Sequence, residues 1–300
     1  MRPFQTILHP TDLSEPAKPA LCLAVRLAQV HRARLIVLYV ATPPVLYGEL
    51  GMTIPIPEMQ QKILEADRKK LEDLAAGSGA ECRVVEGVAA AEIVRNAREE
   101  PCDLIVMGTH GRGGVARLLL GSVAADVLHK APCPVLAVKP PGAPNSGGED
   151  AAARPLFPII LHPTDFSERS RHAFDVACAL ARGGGRLNVL HVVEAVHVAS
   201  EGYEQALYER LRMFQTDDPS IQIEYWLREG DPATEILSDA SGKECDLIAL
   251  GTHGWTGLDR LLMGSVAETI LRGAGCPVLV VRIPVEEPSA LLSLHQEQHA

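Results

Sequence analysis

The sequence predicts two tandem α/β domains, each a five-stranded, doubly wound parallel sheet flanked by helices. Three observations carry this. The chain has 300 residues, about twice the length of a common single domain. Its motifs recur in the same order in the two halves. In each half, short apolar runs alternate with amphipathic helical patterns, as strands joined by crossover helices do.

The repeat sets the organisation. His9-Pro10-Thr11-Asp12 returns as His162-Pro163-Thr164-Asp165, and Gly108-Thr109-His110-Gly111 as Gly251-Thr252-His253-Gly254. Gly121-Ser122-Val123-Ala124 returns as Gly264-Ser265-Val266-Ala267, and Cys133-Pro134-Val135-Leu136 as Cys276-Pro277-Val278-Leu279. Residues 1–140 form the first domain and 155–284 the second. Between them, 141–154 is rich in Pro and Gly and reads as an exposed linker. Residues 285–300 form a polar tail with a few leucines.

In the first half, strands are expected at Ile7-Leu8, Leu35 to Val40, Cys82 to Val85, Leu104 to Met107 and Val135 to Val138. These runs lack polar alternation, as suits strands covered on both faces. Ala17, Leu21, Ala24, Val25 and Ala28 share one helical face, with Ser14 as the expected N-cap. Ser167 is the corresponding cap before Ala173, Phe174, Ala177, Leu180 and Ala181. Asp231-Pro232 opens the third helix of the second half, where the first half has only Val88-Ala89. The second half is shorter between Val192 and Gly230 than the first between Val40 and Gly87, which carries extra prolines.

Composition narrows the function. Lys plus Arg is 28 against 38 for Asp plus Glu, a net charge of −10, so nucleic-acid binding through clustered cations is not expected. Aromatic residues are 4%, too few for a binder that stacks bases. Seven cysteines without a C-x-x-C pair suit a reducing compartment and buried, inert thiols. No signal-peptide pattern or membrane span is expected, and the default location is cytoplasmic.

Ligands of open α/β sheets bind beyond the carboxyl ends of the strands, where strand order reverses. Thr11-Asp12, Val40, Gly87 and Gly108 to Gly111 fall at such ends, as do Thr164-Asp165, Val192, Gly230 and Gly251 to Gly254. Gly108, Gly111, Gly121 and Ser122 are spaced G-x2-G-x9-G-S, and Gly251, Gly254, Gly264 and Ser265 repeat that spacing. Glycines admit close approach of an anion to backbone N–H groups. The Gly-Ser pair opens a helix whose N-terminus favours phosphate. Asp12 and Asp165 are candidates to accept hydrogen bonds from a ribose or base, or else turn formers. Arg112 offers a phosphate cation that the second half lacks, having Trp255 there.

These motifs, with Pro10-Thr11-Asp12-x-Ser14-Glu15 and Cys133-Pro134-Val135-Leu136, resemble the nucleotide-binding branch of the universal stress protein family, twice over nearly the whole chain. The resemblance implies Rossmann-like domains binding ATP, with Mg²⁺ or Mn²⁺ on the phosphates. It implies that Asp12 and Asp165 hold the adenosine and that Val40 and Val192 meet the base through backbone groups. The nucleotide-binding set is then Thr11, Asp12, Val40, Gly108, Gly111, Arg112, Gly121, Ser122 and Val123, with Thr164, Asp165, Val192, Gly251, Gly254, Gly264, Ser265 and Val266. The family also implies that the last strands pair, here within one chain as a pseudo-dimer, with further homodimerisation open.

The expected role is that of an ATP-binding regulator or binding module with an unidentified protein partner, and no catalytic residue is assigned. An interaction scaffold with other or empty pockets, and a slow ATPase, are the alternatives. Gly111, Gly113 and Ala116 also satisfy a dinucleotide fingerprint, but the second half breaks it. His110 and His253 are expected to shape their loops, and His9 and His162 to fill space at the rim.

Overall fold

The computed structural model describes residues 4–42, 45–47, 53–55, 57–109, 120–139, 155–194, 201–242, 245–252 and 264–282. The first half runs β1 (Thr6–Thr11), a 3-10 turn (Glu15–Ala17), α1 (Lys18–His31), β2 (Arg34–Ala41), β3 (Val45–Tyr47), β4 (Thr53–Pro55), α2 (Pro57–Leu74), β5 (Glu81–Glu86), α3 (Ala89–Glu99), β6 (Leu104–Gly108), α4 (Ser122–Lys130) and β7 (Val135–Val138). The second runs β8 (Ile159–Pro163), α5 (Glu168–Leu180), β9 (Arg186–Val193), α6 (Glu201–Leu211), β10 (Gln222–Glu229), α7 (Pro232–Gly242), β11 (Leu247–Gly251), α8 (Ser265–Gly273) and β12 (Val278–Val281).

Ten strands form one sheet in the order β10-β9-β8-β11-β12-β7-β6-β1-β2-β5. Pairing is parallel within each half, and the halves meet through antiparallel β7 and β12. Leu279 lies opposite Leu136, and both are fully buried. The last strands therefore pair within one chain. Each half winds outward from its first strand and then returns, so order reverses between β1 and β6, and between β8 and β11. Helices cover both faces. One core joins α1 and α5 to Leu136, Val138, Leu279 and Val281, and the other joins α3, α4, α7 and α8 to Val135, Ala137, Val278 and Val280. Each core runs through both halves, so burial of the seam is shared by them.

Two local expectations change. The first half contains an additional hairpin, β3 with β4, that pairs only with itself. Its two three-residue strands sit between prolines, too short and too interrupted to show a period. Ser14 does not cap a helix through its side chain. With Pro16 in the first turn, the chain enters through the 3-10 turn, where Ala17 N–H donates to the Ser14 main-chain oxygen at 3.1 Å. Ser167 does cap, its hydroxyl accepting from Ser170 N–H at 3.2 Å. Asp231 caps α7, accepting from Thr234 N–H at 2.9 Å. Among the described residues no helix is long and apolar enough to cross a membrane.

Candidate nucleotide site

Strand order reverses between β1 and β6 and between β8 and β11, the place where open α/β sheets bind ligands beyond the strands' carboxyl ends. On one side β1 ends in a turn that its own side chains hold. The Thr11 hydroxyl accepts from Leu13 N–H at 3.1 Å, and Asp12 Oδ1 accepts from Ser14 N–H at 3.1 Å and from the Ser14 hydroxyl at 2.6 Å. Leu13 is thereby held at φ +62°, in the left-handed region that a branched side chain rarely enters. The second half repeats this: Thr164 accepts from Phe166 N–H at 3.0 Å, and Asp165 Oδ1 from Ser167 N–H and hydroxyl at 3.0 and 2.6 Å, with Phe166 at φ +65°. One oxygen of each aspartate thus builds the turn, the role the sequence had left open beside ligand binding.

Beneath these turns the strands end in two buried histidines. His9 and His162 are not rim residues; both are fully buried. Backbone pairing of β1 with β6 stops at Leu8 opposite Ile105. The next donor in a parallel ladder would be the N–H of residue 10, and Pro10 has none. His9 Nδ1 fills the gap, 2.8 Å from the Val106 carbonyl, as His162 Nδ1 does at 2.9 Å from Ala249. A carbonyl only accepts, so Nδ1 carries the proton and Nε2 is left as an acceptor. Burial lowers both histidines to about pKa 4, so they are neutral near pH 7. The halves differ at Nε2. In the second, the Ser170 hydroxyl lies 3.3 Å away and reaches Thr164 Oγ1 at 2.7 Å. In the first, Ala17 replaces that serine, and His9 Nε2 is buried without a hydrogen-bond partner.

The opposite side begins where β6 ends at Gly108. Thr109 N–H donates to Val138 at 3.0 Å, and Gly121 N–H donates back to the Thr109 carbonyl at 2.9 Å. Thr109 and Gly121, which flank the glycine loop, are thereby tied together. Gly264 N–H donates to Thr252 at 2.8 Å in the same way. Gly121 and Gly264 are the N-caps of α4 and α8, and neither helix has a side-chain cap. The first-turn N–H groups of Ser122 and Val123, and of Ser265 and Val266, therefore receive no acceptor from their own cap residue. A Cβ added at Gly121 would stand 3.1 Å from the Thr109 carbonyl oxygen and would have to push it back by a few tenths of an ångström, which favours glycine there.

Val40 and Val192 lie one residue before the ends of β2 and β9. Gly87 and Gly230 close the adjacent strands at φ +149° and +144°, where Glu92 and Glu235 occupy the space of a side chain. Thr11, Asp12, Gly108, Gly121, Ser122 and Val123 thus stand at one strand-order reversal, and Thr164, Asp165, Gly251, Gly264, Ser265 and Val266 at the other. Gly111, Arg112 and Gly254 lie outside the described residues.

Sequence reasoning missed the asymmetry of the β1 and β8 turns. Phe166 is flanked by His191, with ring centroids 4.4 Å apart, and by Arg210, whose guanidinium lies 4.0 Å from its centroid. His191 Nδ1 bonds the Thr164 carbonyl at 2.8 Å. The matching residues of the first half are Leu13 and Tyr39. The signal available was that Leu13 and Phe166 follow the same aspartate in the repeat.

The family model of the universal stress proteins matches residues 3–139 and again 157–282. The chain belongs to the universal stress protein family. A universal stress protein of Mycolicibacterium smegmatis is 28% identical over 298 residues, covering 92% of this chain and 96% of that relative. The crystal structure of a universal stress protein from Archaeoglobus fulgidus has a TM-score of 0.65 at 25% identity, over 94% of this chain and 97% of its own. A universal stress protein solved in complex with cAMP is 29% identical over 45% of this chain and 97% of its own, with a TM-score of 0.35. Among the described residues no group of three or more His, Cys, Asp or Glu side chains is placed to hold a metal ion.

Proposed function

We propose that this universal stress protein binds an adenine nucleotide, ATP, in the crevices of its two halves and acts as a nucleotide-dependent regulator or binding module. The observation that carries the reading is the doubled, glycine-capped helix N-terminus tied to the end of the neighbouring strand through Thr109 and Thr252. Such a terminus offers unpaired N–H groups and the positive end of the helix dipole, so an acidic chain can hold phosphates without a basic surface. In this reading Ser122 and Val123, with Ser265 and Val266, face the phosphates, while the Asp12 and Asp165 turns and the Val40 and Val192 strand ends line the nucleoside side. Gly111, Arg112 and Gly254 belong to the phosphate loops by sequence spacing.

The test is to denature freshly purified chain and identify released small molecules by mass spectrometry, alongside thermal melts with ATP alone and with Mg²⁺ or Mn²⁺. Released adenine nucleotide, or a melting temperature that rises with ATP, is expected. No nucleotide and an unchanged melt would overturn the reading.

A further inference from the structure

Four of the seven cysteines occupy matched places in the repeat. Cys102 and Cys133 recur as Cys245 and Cys276, whereas Cys22, Cys82 and Cys178 correspond to Asp175, Tyr225 and Val25. Each matched pair stands at the foot of two adjacent strands, β6 with β7 and β11 with β12. Ile105 N–H donates to the Pro134 carbonyl at 2.9 Å and Ile248 N–H to Pro277 at 3.1 Å. The register places Ile105 opposite Val135, and Ile248 opposite Val278. Two residues back, Cys133 comes opposite Asp103, beside Cys102, and Cys276 opposite Asp246, beside Cys245. Cys102 and Cys245 stand two residues before β6 and β11, ahead of the regular alternation of those strands, so their side chains can share a face with Cys133 and Cys276; with neighbouring strands about 4.8 Å apart, each pair stands near the Cα separation of about 4.4–6.8 Å that a disulfide spans. All four side chains pack against one face of the sheet, in a single core. All are free thiols in the structure.

We propose that Cys102 with Cys133, and Cys245 with Cys276, are reversible disulfide pairs, each of which closes a covalent ring around one glycine loop. The ring from Cys102 to Cys133 contains β6, the Gly108 to Gly121 stretch and α4; that from Cys245 to Cys276 contains β11, the Gly251 to Gly264 stretch and α8. Hydrogen peroxide is a sufficient oxidant. One thiolate attacks a peroxide oxygen, forming a sulfenic acid and releasing water after proton transfer. The second thiol then attacks that sulfur, forming the S–S bond and expelling a second water. Two thiols are oxidised by two electrons and one peroxide is reduced to two waters.

The environments set the rates. Burial raises Cys102 to about pKa 11 and pushes Cys133 higher still, so oxidation of the first pair is slow at neutral pH. Cys276 is less buried, and its pKa, also raised to about 11 by burial, is drawn down in part by the nearby Lys139 ammonium. Oxidation of the second pair is therefore slow at neutral pH as well.

The full native chain is treated with peroxide at pH 7.5 and 8.5, blocked with iodoacetamide, unfolded, digested and mapped by mass spectrometry. Linked peptides joining Cys245 to Cys276 and Cys102 to Cys133 are expected, both reversed by dithiothreitol. The rate should rise about tenfold over that pH unit, following the thiolate fraction. Lys139→Met should slow only the second pair. The proposal is overturned if the four thiols remain alkylatable, if they end as sulfinic or sulfonic acids without a link, or if other cysteines are joined instead. The wild-type map decides this without relying on a cysteine variant that folds, and its thiol readout is independent of nucleotide binding.

Discussion

Replacing Ser170 by alanine removes a buried hydroxyl that contacts both His162 Nε2 at 3.3 Å and Thr164 Oγ1 at 2.7 Å. His162 donates through Nδ1 to Ala249 and accepts at Nε2, where the Ser170 hydroxyl is 3.3 Å away. Ser170 is 3% exposed and His162 is fully buried, so water does not replace the lost donor. An acceptor left unsatisfied in such a place costs about 1–3 kcal/mol. The His162 contact is longer than an ideal hydrogen bond and Thr164 keeps its bond from Phe166 N–H, but the 2.7 Å bond between Ser170 and Thr164 is lost too, so the expectation stays at about 1–3 kcal/mol. For a chain of this size that lowers the melting temperature by roughly 2–6 °C. Thermal melts of Ser170→Ala, His162→Phe and the double variant form a cycle with an expected coupling of about 1 kcal/mol. The first half offers the reciprocal change: Ala17→Ser supplies the donor that His9 Nε2 lacks and should raise the melting temperature. A Ser170→Ala melt equal to the parent, or a cycle without coupling, would refute the account of the histidines.

Both histidines have folded pKa values near 4, below the value of about 6.5 expected unfolded. Above pH 6.5 neither state is charged there; between 6.5 and 4 only the unfolded chain takes up the protons, so stability falls with pH by up to about 1.4 kcal/mol per unit per histidine. Urea melts at pH 7 and 5 should show a smaller drop in His9→Asn/His162→Asn, and equal drops would contradict this. Lys139 crosses the seam to donate to the Arg272 and Ala274 carbonyls at 2.7 and 3.0 Å; Lys139→Met should cost about 1 kcal/mol in thermal melts, and an unchanged melt would show the bonds to be replaced by water. Leu279→Ala opens a cavity opposite Leu136 and should cost about 2–5 kcal/mol by denaturant unfolding, with a loss below 1 kcal/mol arguing that the seam repacks.

Much of the fold was legible because its signals are local. Apolar runs such as Leu35 to Val40 need two covered faces, and Asp231-Pro232 needs nothing beyond its own helix to act as a start. The glycine spacing around Gly108 and Gly121 was legible because a tight approach, at Gly121 to the Thr109 carbonyl, disfavours a Cβ. Ser14 misled because Pro16 diverts the chain into a 3-10 turn, a competition that propensity alone does not rank. His9 and His162 misled because a histidine in sequence carries no mark of which carbonyl it will meet.

By itself the sequence determined the tandem repeat, the alternation of strand and helix, and the glycine positions at strand ends, since each follows from residue type and spacing along the chain. Tertiary structure alone decided which oxygens are already committed. Asp12 Oδ1 holds its own turn, His9 stands in for the missing Pro10 N–H, and Ala17 against Ser170 makes one half less satisfied than the other. These depend on which groups face each other once strands far apart in sequence are brought within hydrogen-bonding distance. The seam followed the same rule: β7 and β12 are distant along the chain, and only pairing Leu136 with Leu279 merges two five-stranded sheets into one.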